Sequence, residues 1–545
     1  MNNIKSCKNI IIVFPSVAAS LFLLSCDGSQ IAAGGEEGVV TTQGYTDVAL
    51  ENAKFTSQPT PKEVFAAFSE MAEEVRTMSR EQVEALSDEE ILELGNPIRL
   101  ATDGTILLSE KTLQQLREPL GELTDRLPAM TREEHRALSS EIDRIISSDG
   151  RQNRRSLSAR QIRDLLLELN SETMSFSLTC EQMFTVQGQN VILMVGDNFN
   201  LANHYCPAGY QFTITSGTHT GQYVAQSNTG NTWVGAGTSP VMDGQNNVAA
   251  AFSAGGLIDN SISGFEIRNY KDYGIISASS STKNVNIYNM TFKNIGANRD
   301  GQTYGAIRFD NTENVWVQNS YFENVTSAIR FRFSDGPLRV LNNEALNTGR
   351  NFFQCDKCNG GGIKINGNSM DRTSDYGTAE LEDWISIFNS HGTQNNWIEV
   401  NNNRARGHSN SDSGSFIILA DSTGTYQMAA GNIGVSPGQV GIGVASGEHM
   451  LVKNNKMYSE QWTYSNVAFY SIRFHTPCNN HEFPASPDPN LANWICGWSG
   501  KCPVGQPWRA WASQAPNPNC GIDFDQIRAN VQDDLNMDEN IWNDW

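Results

Sequence analysis

Between about residue 180 and residue 475 the chain alternates apolar and polar positions in short runs, and several runs close on the same polar residue. VNIYNMTFKNIG begins at Val285, VWVQNSYFENVT at Val315, LRVLNNEALNTG at Leu338, WIEVNNNRARGH at Trp397 and MLVKNNKMYSEQ at Met450. Each contains apolar-x-apolar-x-Asn, with the asparagines at Asn289, Asn319, Asn342, Asn402 and Asn454, and Gly264 stands in the equivalent place one turn earlier. A second series interleaves: GAIRFD (305–310), SAIRFR (327–332), GGIKIN (361–366), DWISIF (383–388), SFIILA (415–420) and VGIGVA (440–445). Period-two alternation predicts strands with one buried face. Its recurrence predicts coils stacked as a parallel solenoid, each burying its apolar side against the next. Asn at the ends of the runs suits the left-handed corners such a coil needs, and stacked Asn can bond both their own backbone and the next coil.

Upstream the period changes. Residues 58–175 carry repeated helix starts: Thr60…Glu63, Ser79…Gln82, Ser87…Glu90, Thr131…Glu134 and Ser158…Gln161 all fit a capping box. Val64, Phe65, Phe68, Met71 and Val75 mark one buried face. A small helical domain is expected there, with its many charges forming a solvated face. Residues 26–57 are small, polar and aperiodic and read as a flexible tether. Residues 476–545 are rich in Cys, Pro, Trp and Asn and read as a cap on the last coil. Their tryptophans also suit sugar stacking.

The repeat pattern of residues 176–475 resembles the right-handed parallel β-helix of the pectin-lyase-like superfamily. The resemblance implies an all-β, right-handed parallel β-helix (a solenoid) preceded by a small α-helical region. It does not select an activity, because the fold hosts lyases, hydrolases, epimerases, tailspikes and adhesins.

The first 25 residues read as a signal peptide: Lys5 and Lys8, then an apolar run from Ile10 to Leu24, ending Leu23-Leu24-Ser25-Cys26. That ending resembles the lipobox of bacterial lipoproteins, which implies a lipidated Cys26 and a membrane anchor at the outer membrane or cell surface ahead of the inner membrane. Export sets the redox compartment. Cys180, Cys206, Cys355, Cys358, Cys478, Cys496, Cys502 and Cys520 form an even set that reads as disulfides: Cys180–Cys206, Cys355–Cys358 and two bonds among the last four.

With 39 Lys+Arg against 60 Asp+Glu, the 545-residue chain carries a formal charge of −21, which argues against nucleic acid as a partner. There is no Walker loop or dinucleotide fingerprint, and the histidines show no metal-ligand spacing. No metal site and no definite cofactor are called for. Calcium fits weakly where Asn410, Asp412 and Asp421 cluster.

Within this acidic chain, alignment of the second series sends Arg308, Arg330, Arg332 and Lys364 outward on one face. Like charges at adjacent rungs repel unless something neutralises them, either an anionic ligand or surface carboxylates such as Asp310 and Glu382. Arg binds carboxylates bidentately, so the ligand reading is an acidic polysaccharide or cell-surface glycan, with Tyr304 and Trp384 stacking on sugar rings. Three functions stay open. A polysaccharide lyase would use Arg308, Arg330 or Arg332 to neutralise a uronate, Lys364 or another basic residue as base, and Tyr304 or His391 as acid. A glycoside hydrolase would use two carboxylates from Glu382, Asp383, Asp421 and Asp310. A non-catalytic surface adhesin or envelope protein would bind glycan only. The leading expectation is an exported lipoprotein that recognises an acidic polysaccharide, with β-elimination the first enzymatic version.

Overall fold

The computed structural model describes residues 179–278, 282–376, 380–408, 413–462, 466–485, 490–496, 506–512 and 520–544, and before these only parts of 71–170. The signal segment, Cys26, the tether, Cys502, Asn410 and Asp412 lie outside the described residues.

The chain from Asn190 onward winds through three parallel strand ladders in turn, two of which are joined into one sheet by the long strand Ser415–Ala430. One coil runs Lys283–Tyr288, Thr291–Ile295 and Gly305–Asp310; the next runs Glu313–Gln318, Tyr321–Val325 and Ile329–Arg332. Each strand pairs in parallel with its counterpart one coil on, as in Val285↔Val315, Phe292↔Phe322 and Ile307↔Ile329. This is a right-handed parallel β-helix. The sheets continue beyond residue 475 through Cys478–Glu482, Trp494–Cys496 and Gln532–Asp534, so the segment expected as a cap also adds rungs. Trp508 and Trp542 are buried there. Trp542 packs under Arg404 and Arg406.

Inward residues stack like on like. Phe292 lies on Phe322 with centroids 5.0 Å apart, and Phe309 on Phe331 at 6.1 Å, both pairs within 5° of coplanar. Such stacks bury apolar area on both sides of every rung.

The Asn corners divide the work between two residues. Asn289, Asn319, Asn342, Asn402 and Asn454 adopt left-handed backbone, φ 51 to 53°, and Gly367 and Gly431 fill the same role where the repeat lacks Asn. The residue that follows faces inward and builds a buried ladder. Asn343, Asn368, Asn403, Asn432, Asn455 and Asn493 each receive through Oδ1 the backbone N–H of the preceding member or its equivalent, over 2.9–3.2 Å. Their Nδ2 groups return to carbonyls of an earlier coil, as Asn403 does to Ile365 at 2.8 Å. Every ladder amide is thus satisfied without water, which is what lets six polar residues sit in an apolar core.

The described helices before the solenoid include Arg80–Ala85, Asp88–Leu94 and Ala159–Asn170. Ser79 with Gln82 and Ser87 with Glu90 form the expected capping boxes. Val75, Val83, Ile91, Ile162 and Leu166 make a separate small core. A short antiparallel pair, Thr105–Leu107 with Asn153–Arg155, was not foreseen. Three disulfides match the expected pairings: Cys180–Cys206, Cys355–Cys358, and Cys478–Cys520 among the last four. Cys496 is disulfide-bonded as well.

Candidate functional site

The sheet built from Gly305–Asp310, Ile329–Arg332, Phe353–Asp356, Asp383–His391 and the start of Ser415–Ala430 carries the candidate chemistry. Parallel register fixes its outward rows. One row is Arg308, Arg330, Gln354, Ser386 and Ile418; the next is Asp310, Arg332, Asp356, Phe388 and Asp421.

At one end the rows interleave opposite charges. Arg308 donates to both oxygens of Asp310, at 3.2 and 2.9 Å, and to the Thr303 carbonyl. Arg332 reaches Asp310 at 3.6 Å and Asp356 at 3.3 Å, and Arg330 reaches Asp356 at 3.4 Å. Burial works against the Arg308 charge, but the bonds and charge of Asp310 outweigh it and hold its pKa above the ordinary value. Arg330 goes the other way. Burial, then repulsion from Arg332 and Arg308, lowers it to about 10. Even so, it stays charged at neutral pH. Tyr273 lies beside Arg308, and burial raises it to about 12; the Tyr304 ring lies 5.3 Å from that of Tyr273 and 5.2 Å from the Arg299 guanidinium.

Beneath this face, Arg330 Nε, Gln354 Oε1, Asp356 Oδ1 and Ser386 Oγ are shut away from solvent without a partner in the protein.

Further along the same face the carboxylates collect. Asp383 begins its strand. Burial pushes its carboxyl up to about 7 against the hydrogen bonds of Ser415, with the charges of Asp421 and Glu382 adding to the rise. Asp421 is raised by burial and by Glu382 and pulled down by His475. The Tyr470 hydroxyl is raised by burial and by both aspartates. Glu382 itself is tied to Arg350. Gly414 makes the approach feasible: its φ is +98°, and a Cβ there would run into the Glu382 carbonyl. The arrangement therefore offers one carboxyl poised near neutrality and a second close enough to feel it.

Two sequence expectations are corrected. Lys364 is not on this face. Its strand, Ile363–Asn366, belongs to the Asn-ended series, where Lys364 lies between Arg339 and Glu399 and pairs with Glu399 at 3.0 Å. The rung after Arg330 is instead Gln354, in the strand Phe353–Asp356. Trp384 does not face sugars either. It is fully buried, with Nε1 bonded to the Gly407 carbonyl at 3.0 Å. Strict alternation breaks where each coil turns into this sheet, and the residue ahead of the paired Ile307, Ile329, Phe353 and Ile385 goes inward: Ala306, Ala328, Phe352 and Trp384 are all buried. Tyr304, Arg308, Arg330 and Arg332 gather as expected, as do Glu382, Asp383 and Asp421. His391 stands apart, at the end of its strand near Thr425.

Sequence reading missed Asp356, Gln354, Ser415, Tyr470 and His475. The first two were within reach, since FQCD continues the inward–outward pattern of IRFR. The donors Cys478, His481 and Cys520 also converge, but the two sulfurs are bonded to each other and offer no thiolate.

No protein family and no curated protein matches the chain. Similar solved structures include DFA-IIIase from Arthrobacter chlorophenolicus A6 in complex with DFA-III, at 12% identity over 54% of this chain and 86% of that one, TM-score 0.33. Another is the family 28 exopolygalacturonase of Yersinia enterocolitica, at 13% identity over 57% and 79%, TM-score 0.31. PfbA, a surface adhesin of Streptococcus pneumoniae, is similar at 14% identity over 46% and 84%, TM-score 0.27. Likeness of this order carries no argument about what this chain binds or does.

Proposed function

We propose that this face binds an acidic polysaccharide and hydrolyses it, with Asp383 as proton donor and Asp421 as the second carboxylate. The observation that carries the reading is Asp383, raised to about 7 by burial with the charges of Asp421 and Glu382 adding to the rise, beside Asp421, whose carboxyl burial also raises and His475 only partly offsets. A carboxyl that holds its proton near neutral pH can act as the acid beside a second carboxyl. Protonated Asp383 gives its proton to the departing glycosidic oxygen. Ionised Asp421 activates a water or attacks the anomeric carbon. Arg308, Arg330 and Arg332 hold sugar carboxylates further along. Elimination loses Lys364 as its base, because Ile363–Asn366 pairs with Asp335–Leu341 and Ile398–Asn401 and not with the Arg308 and Arg330 strands. The test is Asp383→Asn and Asp421→Asn: each abolishes cleavage and keeps glycan affinity. Loss of affinity with cleavage retained would overturn the assignment.

The same reading places the protein outside the cytoplasm, anchored through a lipid on Cys26. Disulfides at Cys180–Cys206, Cys355–Cys358 and Cys478–Cys520 suit an oxidising compartment. Cys26→Ser in cells fed labelled palmitate is expected to lose the label and move to the soluble fraction. Retained label would exclude Cys26 as the acceptor.

A further inference from the structure

At the corner just beyond the Arg/Asp strands, successive rungs place Asn311, Phe333, Lys357 and Asn389, all with left-handed backbone at φ 56, 49, 58 and 45°. Asn takes this conformation at little cost, whereas a bulky aromatic residue there is an outlier. Burial does not repay the strain, since Phe333 is 43% exposed. Its ring lies 5.1 Å from the Arg332 guanidinium and 4.9 Å from the Lys357 ammonium. Arg332 already shares Asp310 and Asp356, while Lys357 has no ion pair among the described residues.

A strained aromatic ring left 43% exposed and a cation without a counter-ion are two separate costs at one place. A single ligand relieves both: a sugar ring bearing a carboxylate. Its C–H face lies against the exposed phenyl ring and its carboxylate meets Lys357 and Arg332. We infer that Phe333 and Lys357, with Arg332, form a distinct subsite for one anionic sugar unit of a longer chain. The subsite lies three rungs from Asp421, roughly 14 Å at the usual strand spacing. It rests on the reading of this face as one that hydrolyses an acidic glycan, and deepens it by requiring a polymer that spans the gap.

Phe333→Asn tests the subsite in the full-length protein, because Asn311 and Asn389 hold the same left-handed corner in this row and folding should be unharmed. The probes are oligogalacturonates of about eight units and of two, titrated by calorimetry, with the melting temperature as control. The expected result is affinity about ten-fold weaker for the long oligomer, unchanged weak affinity for the dimer, and an equal or higher melting temperature. Lys357→Gln is expected to show the same selective loss. Wild-type affinity for the long oligomer in both variants would overturn the subsite. Cleavage of a neutral glycan by a protein that binds no uronate would also overturn it while leaving Asp383 and Asp421 in place. Binding through Phe333 with no cleavage of any glycan would keep the subsite and remove the hydrolase.

Discussion

Ser415 donates twice to one oxygen of Asp383, through its backbone N–H at 2.9 Å and its hydroxyl at 2.7 Å. The two bonds favour the ionised carboxylate, yet the group still titrates near 7, because burial and the neighbouring charges of Asp421 and Glu382 outweigh them. Removing the hydroxyl removes part of that support. Ser415→Ala is expected to raise the Asp383 pKa and move the alkaline limb of the kcat/KM profile to higher pH, since a proton donor fails when it ionises. An unmoved limb would show that Asp383 is not the group titrating there.

The same shift has a consequence for stability. An Asp whose folded pKa lies above its unfolded value of about 3.9 binds more protons in the folded state between those pH values. Its contribution is fully present below about pH 4 and is lost as pH rises through 7, at about 1.4 kcal/mol per pH unit in between. Asp383→Asn is therefore expected to melt higher than the wild type at pH 8 and to gain little at pH 4. A gain that is equal at both pH values would contradict the raised pKa.

Arg330 and Lys364 separate cleanly. Lys364→Ala breaks a half-buried pair with Glu399, so a stability change of about 1 kcal/mol or less and unchanged uronate affinity are expected. Arg330→Ala removes a cation of the candidate face and is expected to weaken uronate binding about ten-fold or more. Equal effects in calorimetric titration would mean that the register separating them is wrong.

The Asn ladder gives a matched pair for the fold. Asn403 bonds to Ile365, Asn368 and Asn432 while buried. Asn403→Ala leaves several of those groups unpaired and is expected to cost about 3 kcal/mol or more. Asn402→Gly, at the adjacent left-handed corner, is expected to cost under about 1 kcal/mol, because Gly takes that conformation freely. Denaturant unfolding of the two variants checks the contrast.

These residues also show what the sequence discloses. The apolar-x-apolar-x-Asn runs announce the coil because the corner demands left-handed backbone and the core demands alternation. Which series a strand joins is harder to read, since both series share the apolar-x-apolar unit. Ile363–Asn366 is marked as Asn-ended by the following Gly367-Asn368, which supplies the corner and the ladder residue; read without that mark, Lys364 falls in the wrong strand series. Trp384 misleads for another reason, because alternation does not hold where the chain turns into a strand. The coupling of Asp383 to Asp421 is out of reach of spacing rules. It depends on a register shift near Phe388 and Asp421 and on left-handed backbone at Ala420.

The most direct test of the central claim is the mass of the products formed when the protein is incubated with acidic polysaccharides, beside Asp383→Asn. The account predicts fragments that have each gained a water at the cleaved bond, and none from the variant. Fragments lighter by one water, which signal elimination, or glycans left intact across uronate and sulfated polymers would contradict it.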